Sequence, residues 1–145
     1  MPPWHPPWGS RLGGQPGRRE PKNSPRGGQR RRSDAGVVAQ RYELVLFGNS
    51  QKIELRSWQI DPQRRFDRTF HWKPETWYRL KLEVENLSGG KTRVRGKVWP
   101  ASEREPAEWS IEWIDPIGNR CGSAGVFADS ANEVYFDNLK ITPNR

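Results

Sequence analysis

From Tyr78 to Glu85 the chain alternates without interruption: Tyr78, Leu80, Leu82 and Val84 are apolar on one phase, and Arg79, Lys81, Glu83 and Glu85 are charged on the other. A period of two places successive side chains on opposite faces of a strand, so this segment buries one face and must join a sheet to do so. The same spacing returns in residues 51–58, where Ile53 and Leu55 oppose Lys52, Glu54 and Arg56, and in residues 92–99, which Pro100 ends.

Other segments are read with less regularity. Residues 37–47 form an apolar run that reads as one strand, and Gly48-Asn49-Ser50 turns it into residues 51–58 as a hairpin. Residues 65–72 read as a third, shorter strand. In residues 108–114, Trp109, Ile111 and Trp113 share one face, and residues 126–128 make a short strand. The last strand, residues 133–142, slips phase between Val134 and Phe136 on one side and Leu139 and Ile141 on the other. A β-bulge near Asp137 and Asn138 would reconcile the two halves with one core, and their short polar side chains suit a structural role there. About eight strands with frequent turns and no helical period predict an all-β antiparallel sandwich or jelly roll.

The stretch before this pattern is a different polymer. Residues 1–34 hold 7 of the 13 prolines and 6 of the 14 glycines, with no aliphatic side chain larger than Leu12. Such a composition buries too little apolar surface to offset its ordering entropy, which predicts a disordered basic tail at 1–34 and a folded domain at 35–145. Charge divides at the same seam: the tail has eight basic side chains against two acidic ones, net +6, and the remainder has 17 against 15, net +2. The basic character therefore belongs mainly to the tail.

Cys121 is the single cysteine, which excludes an intrachain disulfide and any zinc site built from several thiolates of this chain. No apolar run approaches the roughly 18 to 20 residues of a membrane span, and no export signal is read at the N-terminus, so localisation stays open. No cofactor is implied.

The segments W-Y-R-L-K-L-E-V at 77–84, G-K-V-W-P at 96–100 and E-V-Y-F-D-N-L-K-I at 133–141 resemble the concanavalin A-like lectin/glucanase jelly roll. The closer similarity is to the version at the C-terminus of bacterial PQQ-binding-like β-propeller proteins. It spans residues 36–144. The resemblance implies a non-catalytic module for carbohydrate binding or interdomain support, an adjoining propeller as partner in full-length relatives, and a periplasmic or envelope setting for them. It also implies opening strands before residue 37, one of them pairing with the last strand. Low-complexity sequence stands in their place, so the domain reads as a partial copy, a fragment whose tail would stem from a start-site or frameshift artefact.

The alternative within the same fold is a glycoside-processing enzyme, a glucanase or a 3-keto-disaccharide hydrolase relative. Glucanases of this fold place carboxylates at i and i+4 around a third acid at i+2. Glu112 and Asp115 come nearest but lie at i and i+3, on opposite faces of a strand. Glu133 and Asp137 have the spacing but flank the phase slip, and His71 has no evident nucleophile or orienting acid, so no catalytic residue is assigned. A calcium site at Asp129, Asp137 or Asn138 lacks a diagnostic spacing, and no metal is assigned.

Tryptophan carries the functional hint, because its face stacks on sugar rings. Trp58, Trp72 and Trp99, near strand ends, are the candidates for stacking, while Trp109 and Trp113 read as core. A third reading places nucleic acid on Arg26-Gly27-Gly28 and Arg30-Arg31-Arg32, with Trp4 and Trp8 stacking on bases. One RGG and one arginine triplet are weak motifs, and a solvated tail is the favoured reading.

Overall fold

The computed structural model describes residues 9–12, 32–59 and 61–144, the first four as backbone alone. Among the described residues ten strands form two antiparallel five-stranded sheets that pack face to face. The first contains, in spatial order, β10 (Val134–Asp137), β1 (Gly9–Leu12), β6 (Trp77–Asn86), β7 (Thr92–Pro100) and β8 (Ile111–Asp115). The second contains β5 (Arg65–Thr69), β4 (Lys52–Ser57), β3 (Tyr42–Phe47), β2 (Asp34–Ala39) and β9 (Ala124–Asp129). A 3₁₀ turn, Pro62–Arg64, lies between β4 and β5. Among the described residues no helix is long and apolar enough to cross a membrane.

The alternation read in the sequence sets the faces. Tyr42, Leu44 and Leu46 of β3 and Ile53 and Leu55 of β4 pack against Tyr78, Val94, Val98, Ile111 and Trp113 of the facing sheet. Gly96 lets the sheets meet closely: a Cβ there would lie 2.7 Å from Leu44 Cδ1, and Leu44 is fully buried.

Three segmental expectations are corrected. The apolar run 37–47 is a hairpin, with β2 and β3 joined at Ala39↔Tyr42 and Gln40 and Arg41 both at positive φ, 51° and 62°. Such two-residue turns favour Asn and Gly, so the sequence carries no turn signal here. Tertiary bonds hold the strained backbone instead: Arg41 O accepts from Trp58 N at 3.0 Å and from Asn119 Nδ2 at 3.1 Å, and Gln40 N donates to Ser123 O at 3.2 Å. At the other end, β10 stops at Asp137 without a bulge, Asn138 turns the chain at φ 54°, and Leu139 and Ile141 are exposed. Asn tolerates that left-handed conformation better than most residues, so the phase slip is an exit from the sheet. The third correction concerns β8, which begins at Ile111 and leaves Trp109 outside it.

Within the segment read as a tail, Gly9–Leu12 form β1 and lie between β10 and β6, with Gly9↔Asp137, Leu12↔Val134, Ser10↔Tyr78 and Arg11↔Trp77. A strand near the start thus pairs with the last one, where low-complexity sequence was expected to leave a gap. Ladder formation uses backbone donors and acceptors, which Gly-Ser-Arg-Leu supplies as any proline-free segment does. Arg32, Ser33 and Asp34, which opens β2, are also described, and Arg32 N donates to Asn49 Oδ1 at 2.8 Å. The remaining tail residues, with Trp4, Trp8, Arg26-Gly27-Gly28 and Arg30-Arg31, lie outside the described residues.

Candidate functional site

Of the three tryptophans singled out for stacking, only Trp58 is open. It follows β4 directly, 58% exposed, with its backbone N–H fixed on Arg41 O at 3.0 Å. Inward alternation in β4 ends at Ser57, and the 3₁₀ turn, capped by Asp61 Oδ1 on Gln63 N at 2.9 Å, carries the chain away. The indole therefore stands at the rim. Trp72 is withdrawn as an open platform: it is 4% exposed, edge-on to Tyr78, with Nε1 donating to Phe47 O at 2.9 Å. Trp99 is withdrawn as well, because it is 7% exposed although it sits on the outer phase of β7, opposite Arg79. Nearness to a strand end does not separate the three, since two of them are buried.

Trp58 borders a cleft of about 350 Å³ whose other walls include Glu43, Arg56, Gln59, Arg64 and Arg65. Arg56 Nε donates to Glu43 Oε2 at 2.5 Å, and its guanidinium lies 5.6 Å from the Phe47 ring centroid and 5.2 Å from that of Phe127. Arg65 is 51% exposed along its side chain and stands 3.6 Å from Glu54 Oε1, beyond hydrogen-bond distance.

Arg64 forms the floor and belongs to a buried clasp between the two sheets. Its Nε donates to Asp115 Oδ2 at 3.0 Å and its Nη2 at 2.5 Å, while Nη2 also reaches Asn119 Oδ1 at 3.1 Å. Tyr42 Oη donates to the same Asp115 oxygen at 2.7 Å and accepts from Asn119 N at 2.8 Å. Asp115 Oδ1 accepts from Ile117 N at 3.1 Å. Burial, reinforced by the Asp115 hydrogen bond and charge, raises the Tyr42 phenol above its ordinary 10.0. Burial pulls Arg64 down, but its bonds to Asp115 outweigh this and raise it. Both groups thus hold their protons, and the clasp ties β3, the 3₁₀ turn and the end of β8 into one unit.

The carboxylates weighed for catalysis are dispersed. Glu112 is exposed on the outer phase of β8 and Asp115 is sealed on its inner phase. Glu133 accepts from Tyr135 Oη, Asp137 is exposed opposite Gly9, and His71 is exposed in the loop after β5. Asp129 ends β9 in the other sheet from Asp137. Among the described residues no group of three His, Cys, Asp or Glu side chains is placed to hold a metal ion.

Trp109 also departs from expectation. Its ring lies over Arg95 at 4.6 Å, Lys97 at 4.7 Å and Lys81 at 5.8 Å, on the outer face of the first sheet and not in the core. Ser110, outside the strand, breaks the phase between Trp109 and Ile111 and donates its N–H to Gly96 O at 2.9 Å. The same two lysines share Glu105, Lys81 at 2.8 Å and Lys97 at 3.2 Å. The Lys81 hydrogen bond, helped by Lys97 and opposed by burial, holds the Glu105 carboxyl below its usual range.

The sequence reading missed Tyr42, Arg64 and Asn119 as a group and Gln59 and Arg65 as cleft residues. One signal was present: Asp115 shares the phase of Ile111 and Trp113, and a carboxylate on an inward phase requires a buried partner. Comparison of the chain with protein-family models, with curated proteins and with solved structures gives no match.

Proposed function

We infer that this sandwich is a non-catalytic carbohydrate-binding module whose platform is Trp58. The observation that carries this reading is an exposed indole beside a polar cleft, while Trp72 and Trp99 are enclosed. An aromatic face flanked by a few fixed polar groups suits the apolar face and hydroxyl edge of a pyranose ring. The resemblance to concanavalin A-like domains attached to PQQ-like propellers supports a binding or support role over chemistry. Two carboxylates line the cleft, but one oxygen of Glu43 is held by Arg56 and one of Asp61 caps the 3₁₀ turn, which supports structural roles for both over the acid and nucleophile roles of a glycosidase.

Titration calorimetry of the full chain against a panel of neutral oligosaccharides, with reducing-end release followed in parallel, tests the reading. Binding without turnover that disappears in Trp58→Ala is the expected result. Binding unaffected by that substitution, or product release, would overturn it.

A further inference from the structure

Along residues 79–86 one edge of β6 is open. Trp77 O accepts from Ala101 N at 2.8 Å and Leu87 N donates to Lys91 O at 2.9 Å, so the odd-numbered residues of β6 turn their backbone groups to β7. Leu80, Leu82 and Val84 turn theirs the other way, where among the described residues β1 pairs only with Trp77 and Tyr78. Val84 O accepts from the Asn144 side chain, which holds the C-terminal segment beside that edge without joining it to the sheet. Here lies a groove of about 950 Å³ whose apolar lining includes Val37, Leu80, Leu82, Val84, Val126 and Ile141. Val126 and Ile141 are exposed.

An open strand edge beside an apolar groove suits an extended segment with apolar side chains on alternate positions. Residues 13–31, outside the described residues, have no aromatic, valine, leucine, isoleucine or methionine side chain to offer. The stretch leading into β1, M-P-P-W-H-P-P-W at 1–8, also lies outside them and carries two tryptophans four residues apart. The antiparallel ladder Arg11↔Trp77 and Ser10↔Tyr78 points towards it, and the same register continued sets Trp8 opposite Leu80, Pro6 opposite Leu82 and Trp4 opposite Val84. All three fall on the inward phase of β6. Pro3 and Pro7 fall on the alternate positions, whose nitrogens point away from β6 to where β10 has already ended at Asp137, so their missing N–H groups cost no ladder bond. Pro6 forfeits one, to Leu82 O. We propose that residues 4–8 prolong β1 along the open edge of β6 and seat Trp4 and Trp8 in the groove, so that the chain closes its own sandwich.

Proton NMR of the full chain tests this. Contacts between Hα atoms should join His5 to Glu83 and Pro7 to Lys81, the pairs that approach most closely in that register. The Leu80, Leu82 and Val84 amides should exchange slowly with solvent. Trp4→Ala/Trp8→Ala should speed them at least about tenfold, while the Lys81 and Glu83 amides, turned to β7, keep their protection. Trp4→Phe/Trp8→Phe, which keeps two aromatic side chains for the groove, should change the rates by less than about threefold. Edge amides that exchange in the wild type as fast as those of the Gly89-Gly90 turn, or the absence of both Hα contacts, would overturn the proposal. Protection that survives Trp4→Ala/Trp8→Ala would do the same: if it falls on dilution, a strand of a second copy covers the edge, and if it does not, another segment does.

Discussion

The Arg64 guanidinium and the Asp115 carboxylate meet at 2.5 Å inside the sandwich, one carried by the turn after β4 and the other by the end of β8. Neither charge is tolerable there alone, because removing one partner leaves the other uncompensated in a poorly solvating interior. Asp115→Ala should therefore lower the unfolding free energy by about 3–5 kcal/mol in urea titrations, far more than an exposed pair such as Lys81–Glu105 would contribute.

Tyr42 gives the clasp an alkaline limit. Its phenol is raised above 10.0 in the folded state, so the fold retains a proton that the unfolded chain releases. The associated stability is complete below pH 10.0 and declines as pH rises from there through the folded value. Thermal melts between neutral pH and pH 11 should show a steeper alkaline fall in the wild type than in Tyr42→Phe.

Glu105 behaves in the opposite sense. Its carboxyl is lowered from 4.5 by Lys81 and Lys97, so its contribution is present above pH 4.5 and is lost as pH falls through the folded value. Glu105→Gln should flatten the acid side of the melting profile and leave the alkaline side unchanged.

At the sheet interface, Gly96→Ala pushes a methyl group to 2.7 Å from Leu44 Cδ1 in a fully buried setting. Overpacking of this kind costs about 1–3 kcal/mol. In a double-mutant cycle with Leu44→Val, the combined loss should be smaller than the sum, because the shorter side chain vacates the space the new methyl needs.

The Gln40-Arg41 turn offers a gain. Replacing Arg41, at φ 62°, by glycine relieves left-handed strain and forfeits a 3.3 Å bond from its Nε to Cys121 O. A net increase of up to about 1 kcal/mol in denaturant unfolding is expected, since the greater freedom of an unfolded glycine offsets part of the relief.

These sites differ in how far the sequence discloses them. The faces of β4, β6 and β7 are readable from local alternation, because side-chain direction in a strand depends on position parity alone. The turn at Gln40 is not, since distant carbonyls and amides stabilise its positive φ values and neither residue advertises them. Exposure of Trp58 and enclosure of Trp72 are equally non-local, set by where the 3₁₀ turn and the Phe47 carbonyl happen to lie. For the clasp, Asp115 hints at a partner through its phase, yet Arg64 and Asn119 emerge as that partner only once the sheets are stacked.

The position of β1 makes the two ends of the chain depend on one another. Among the described residues β10 reaches the rest of its sheet through β1, so the ladder from Gly9 to Leu12 carries its backbone attachment to β6. Contacts separated by nearly the full chain bring a large loop-closure penalty, and they form after the local hairpins have condensed. The β10 edge is accordingly the last part of the sandwich to zip and the first to open, a seam whose amides should exchange with solvent well before those of β3 and β7.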